Sequence, residues 1–115
     1  MIAINTTFHI PCRIKPQFVR WLRESYVPQA CGSGCVTSPV IFRILGGSEE
    51  TPDHMSMACQ LTAPTLAAAK NWHDGHGAVL RSEMHRLWGK DVLYFTTYLE
   101  VIPVAEPGES AVSEK

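Results

Sequence analysis

Hydrophobic and polar positions alternate with period two from residue 2 to residue 10. Ile2, Ile4, Thr6, Phe8 and Ile10 point one way, and Ala3, Asn5, Thr7 and His9 the other. That period predicts a strand, which Pro11 ends. The period then changes. Pro16 suits a first helical turn, where its missing N–H costs nothing. Phe18, Val19, Leu22 and Tyr26 fall on one face, with Gln17, Arg20, Arg23 and Glu24 opposite, so an amphipathic helix of about three turns is expected. Pro28 disfavours helical geometry at Val27 and predicts an end or a kink there. Val40 to Leu45 is a β-branched run and reads as a second strand. After a polar turn, Gly46 to Asp53, alternation resumes over His54 to Thr62, with Met55, Met57, Cys59 and Leu61 sharing a side.

Pro64 and Thr65 open a second helix, with Leu66, Ala69, His73, Leu80, Met84 and Leu87 as its expected inner stripe. Gly75 and Gly77 weaken it by about 1 kcal/mol each relative to alanine, so a bend near His76 is expected. Gly89 fits the C-terminal cap. Val92 to Ile102 alternates a last time. The order strand, helix, strand, strand, helix, strand predicts an α+β, ferredoxin-like βαββαβ fold. A four-stranded antiparallel sheet would carry both helices on one face, with the first and third strands central. Residues 1–102 form the expected domain, and the polar tail 103–115 is expected to be disordered.

The faces are then sorted by polarity. Ile2, Ile4, Phe8, Met57, Leu61, Phe95 and Leu99 are assigned to the helices. Asn5, Ala58 and the expected dimer-face residues Thr7, Gln60, Tyr94, Thr96 and Tyr98 are assigned to the other side. Nothing else in the chain covers that side, and tyrosines suit an interface. A homodimer joined through the sheet is therefore expected, closed two-fold dimers being the commonest assembly.

Composition narrows the partners. The formal charge is -1, from 10 basic and 11 acidic residues, with no basic patch, so nucleic acid is not an expected partner. No apolar run reaches the length of a membrane span, and residues 1–10 lack a charged leader region, so a cytoplasmic protein is expected. Cys31 and Cys35 lie four apart, neither a redox pair nor half of a paired zinc motif.

Several segments taken together resemble a known family. They are Asn5-Thr6-Thr7-Phe8, Trp21-Leu22 with Tyr26-Val27-Pro28, and Ser38-Pro39 leading into Phe42-Arg43-Ile44-Leu45. Gln60-Leu61-Thr62-Ala63-Pro64 and Leu93-Tyr94-Phe95 complete the set. They are similar to a family of small bacterial proteins, domain-of-unknown-function family 4286, over about residues 1–102. The resemblance implies a ferredoxin-like fold of the dimeric α+β barrel kind and no particular activity.

The candidate pocket comprises Asn5, Trp72, His73 and His76. His73 and His76 are three apart and share a helix face. No third ligand accompanies them, so neither a metal site nor any other cofactor is expected. Dimeric α+β barrels include antibiotic-biosynthesis monooxygenases and haem-degrading monooxygenases. The latter are known for an Asn on the first strand with a Trp and a His on the second helix. Asn5, Trp72 and His76 are in comparable places, although the His follows the Trp here by one turn rather than nearly three. Two functions follow: a non-catalytic module binding a small apolar ligand or a protein, and, as the alternative, such a monooxygenase.

Overall fold

A computed structural model describes residues 1–46 and 51–105. The strands are β1 (Ile2–Pro11), β2 (Thr37–Ile44), β3 (His54–Ala63) and β4 (Leu93–Glu100). They form one antiparallel sheet in the order β2-β3-β1-β4, which puts the first and third strands at the centre as the element order requires. The helices are α1 (Lys15–Trp21), α2 (Val27–Gly32), α3 (Leu66–Asp74) and α4 (His76–Trp88). The fold is α+β and ferredoxin-like. The expected tail from residue 106 onward, and residues 47–50 of the turn after β2, lie outside the described residues.

Pro28 does not end the first helix. A π turn over Leu22–Tyr26 joins α1 to α2, and the Val27 N–H donates to the Leu22 carbonyl five residues back. Proline cannot donate to the carbonyl four residues before it and its ring crowds that turn; widening the helix by one residue relieves both problems. The second helix breaks where the glycines predicted. Gly75 (φ -99, ψ -90) separates α3 from α4. Thr65 caps α3, its Oγ1 accepting from the Ala68 N–H at 3.1 Å. Gly89 closes α4 at φ +58, ψ -134, a conformation L side chains rarely adopt.

The core lies between the helices and one sheet face. Ile4, Phe8, Ile10, Met55, Met57, Cys59 and Leu61 supply the strand side. Phe18, Trp21, Leu22, Tyr26, Ala69, Trp72, Leu80 and Met84 supply the helix side. Phe8 packs edge-on against Phe18 at 5.1 Å between ring centres, and Trp21 against Trp88 at 5.6 Å. Glu83 of α4 accepts from Trp21 Nε1 and from Ser25 Oγ, both at 3.0 Å, which ties the two helical layers together. Of the expected inner stripe, His73 is only half-buried and Leu66 and Leu87 are exposed, whereas Trp72, outside that stripe, is buried. The turn before the break therefore points its tryptophan, not its histidine, into the core.

Candidate functional site

Strand register decides which residues share each sheet face. Ile4 pairs with Leu61 and Tyr98, Thr6 with Cys59 and Thr96, and Phe8 with Met57 and Tyr94. Directly paired residues point the same way. Tyr94, Thr96 and Tyr98 thus lie on the helix side, and the expectation that they join the open face with Thr7 and Gln60 is corrected. Phe95 and Leu99, expected against the helices, pair with Thr7 and Ala3 and face outward. The reason is that both faces of β4 carry apolar surface. Polarity sorting assumes that the more apolar set faces the helices, and it fails on a strand whose two sets are both partly apolar.

The open face has a definite relief. Its floor, on the two central strands, is Ala3, Asn5, Thr7, Ser56, Ala58 and Gln60. Its sides, on the edge strands, are Val40, Phe42, Leu93, Phe95 and Leu99, each between 43% and 61% exposed. Small Ala3, Thr7 and Ala58 are already sheltered within the single chain. Large apolar side chains standing exposed around a small-residue floor form a trough across the sheet.

At one end the trough meets two histidines. The His9 and His54 rings stack at 5.3 Å and 10°, and His9 Nδ1 lies 3.2 Å from Ser56 Oγ. A cleft of about 620 Å³ opens there, with Leu93 at its inner wall and Lys90 and an exposed Arg13–Asp91 ion pair of 3.1 Å at its rim. Among the described residues, no group of three or more His, Cys, Asp or Glu side chains is arranged to hold a metal ion.

On the other side of the sheet, a groove of about 510 Å³ runs between α4 and the start of β4. Arg81, Ser82, His85, Arg86 and Tyr94 line it. Arg81 is half-buried. Its Nη1 donates to His73 Nδ1 at 3.2 Å and its Nη2 to the His73 carbonyl at 2.9 Å. The guanidinium also stands 5.8 Å from the centre of the Tyr94 ring, and the His73 ring packs edge-on against Tyr98 at 6.0 Å. A guanidinium only donates, so His73 carries its own proton on Nε2. Burial, and then the neighbouring Arg81 charge, hold the His73 pKa below the usual histidine value. Burial also raises the Tyr98 pKa, keeping the phenol neutral.

The expected pocket residues do not converge. Asn5 lies on the open face and donates to Thr7 Oγ1 at 3.3 Å. Trp72 is packed in the core beneath the opposite face, 1% exposed, with its Nε1 unpartnered among the described residues. His76 is exposed at the start of α4. The Asn–Trp–His arrangement is therefore split by the thickness of the sheet. Only His73 enters a defined polar cluster. Sequence reasoning missed Arg81. The available signal was Gly77 four residues earlier, since a glycine one turn away leaves room for a long side chain to fold back.

The chain matches the model of the domain of unknown function DUF4286 over residues 1–102. It belongs to the DUF4286 family. No curated protein matches it. Solved structures similar to this DUF4286 chain share its fold at low identity. One is an ethyl tert-butyl ether D (EthD) family protein from Bacillus halodurans C-125. It is 13% identical at a TM-score of 0.63, covering 89% of this chain and 100% of that one. HapK from Hahella chejuensis is 10% identical at 0.64, covering 92% and 97%. A dimeric ferredoxin-like protein from an uncultured marine organism is 12% identical at 0.62, covering 90% and 97%. At such identities the likeness speaks for the ferredoxin-like fold of this DUF4286 chain and for nothing finer.

Proposed function

We propose that this chain is a non-catalytic binding module that works as a homodimer joined sheet to sheet. One observation carries the reading: Val40, Phe42, Leu93, Phe95 and Leu99 stand exposed on a face that no helix among the described residues covers. A contiguous apolar face of this kind marks an interaction surface. Its sides are aromatic and aliphatic and its floor is small, so a second identical face can seat its own sides across the trough. A two-fold contact of one surface with itself closes the assembly at two copies. A neighbour of the same fold is described as dimeric, which agrees. The four cysteines are free thiols, which fits a reducing compartment such as the cytoplasm. No helix among the described residues is long and apolar enough to cross a membrane.

Light scattering coupled to size exclusion tests the dimer. At micromolar concentration the chain is expected at twice its mass of 12.8 kDa, and Phe95→Asp at the single mass with unchanged circular dichroism. A wild-type chain that elutes at the single mass overturns the proposal.

A further inference from the structure

The charge balance around Arg81 is incomplete. Its two hydrogen bonds go to uncharged acceptors, the ring nitrogen and the carbonyl of His73. Among the described residues it forms no ion pair with a carboxylate. Asp74 is near enough to influence the His73 and Tyr98 titrations, yet it is exposed and is not bonded to the guanidinium. Glu83, the acid on the same helix, is engaged by Trp21, Ser25 and Arg86. A partly exposed guanidinium without a bonded carboxylate keeps its charge open to an anionic ligand.

The position of Arg81 is also constrained. A Cβ at Gly77 would sit 2.9 Å from Arg81 Nη1 and 3.3 Å from the Trp72 ring. The glycine leaves the side chain room to fold back across the helix break to His73. That route delivers the guanidinium to the groove beside the Tyr94 ring, where Ser82 and His85 add polar groups and no acidic side chain lines the wall.

We propose that this groove between α4 and β4 is a binding site for a planar aromatic carboxylate. The remaining N–H groups of Arg81 form a fork matched to a carboxylate, which would supply the missing charge through charge-assisted hydrogen bonds. The exposed Tyr94 ring offers the flat surface for the aromatic body. Neutral His73 adds no charge beside that fork, and Arg86, the other cation of the groove wall, is offset by Glu83 at 3.7 Å, so one open positive charge suits a singly charged acid better than a polyphosphate. The groove volume of about 510 Å³ lies within the range of small-molecule sites. The proposal deepens the binding-module reading by naming its ligand class, and it does not depend on the sheet-to-sheet dimer, because the groove is on the opposite face.

The probe is 1-naphthoate, with its uncharged counterpart 1-naphthamide and with inorganic phosphate as competitor. Binding is read by calorimetry, and backbone amide resonances locate it. The full chain is expected to bind the acid at least about tenfold more tightly than the amide, with shifts confined to residues around Arg81 and Tyr94. Phosphate is expected to compete weakly. Arg81→Gln is expected to lower affinity at least about tenfold. Because that change also loosens the helix break, Tyr94→Ala, at an exposed position, serves as the second variant and is expected to weaken binding severalfold with the fold intact. Light scattering on the same samples reports the dimer separately. Equal affinity for acid and amide, no binding at millimolar acid, phosphate binding as tightly as 1-naphthoate, or shifts mapping to the His9–His54 cleft would each overturn the site.

Discussion

The two faces of the sheet are built on opposite plans. On the covered face the large apolar residues stand on the central strands, as Ile4, Phe8, Met57 and Leu61, and the edge strand β4 supplies polar Tyr94, Thr96 and Tyr98. On the open face the centre is small or polar, as Ala3, Asn5, Thr7 and Ala58, and the edges are large and apolar. A helix layer is a ridge, so it wants bulk along the middle of the sheet and tolerates hydroxyls at the margin, where they stay wet. A second sheet bearing the same trough wants bulk at the sides. The relief of the covered face thus matches the helices on it, and the relief of the open face matches the second copy proposed above.

Substitution of each face by the same chemistry separates the two plans most sharply. Phe8→Ala removes a fully buried ring and is expected to cost about 3–5 kcal/mol in a denaturant melt. Phe95→Ala, on an exposed ring, is expected to cost the isolated fold less than about 1 kcal/mol while weakening self-association. Equal losses at the two sites would erase the distinction.

Two glycines extend the comparison to the helices. Gly77→Ala is expected to destabilise by about 1–3 kcal/mol and to move the His73 ring resonances, because the new methyl group displaces Arg81. Gly32→Ala, where nothing lies within 4 Å, is expected to be neutral or slightly stabilising.

Acid and alkali act on the covered side. Burial, and then Cys31, push the Cys59 thiol up to about 12 from its ordinary 9.0. The unfolded chain therefore loses that proton first as pH rises. The stabilisation is fully present below pH 9.0 and is lost between there and about 12. His73 has the opposite sign of pH dependence. Its pKa is lowered, so the unfolded chain gains a proton first as pH falls, and stability present above the usual histidine value declines below it. Unfolding melts from pH 5 to 11 check both arms, and Cys59→Ala should flatten the alkaline one. Smallest of all, Arg13→Ala breaks an exposed ion pair and should cost less than about 0.5 kcal/mol.

The fold was legible because periodicity changes cleanly from two to helical and back, and Gly75 and Gly89 stand where the second helix breaks and ends. The facing of β4 was not. Its two alternate sets, Leu93-Phe95-Leu99 and Tyr94-Thr96-Tyr98, are both partly apolar, and only pairing with Phe8 and Thr6 orients them. Of the end and the kink expected at Pro28, the end does not occur, since a π turn absorbs a proline that an ideal helix rejects. The Arg81 cluster was hidden because it joins residues eight apart across a helix break, a separation that a continuous helix would leave on different turns.

Concentration-dependent hydroxyl-radical footprinting of Phe42 and Phe95 tests the covered trough most directly. The account predicts both rings protected at high protein concentration and oxidised together on dilution, with Phe8 protected throughout. Oxidation of Phe42 and Phe95 at the same rate at every concentration would contradict it.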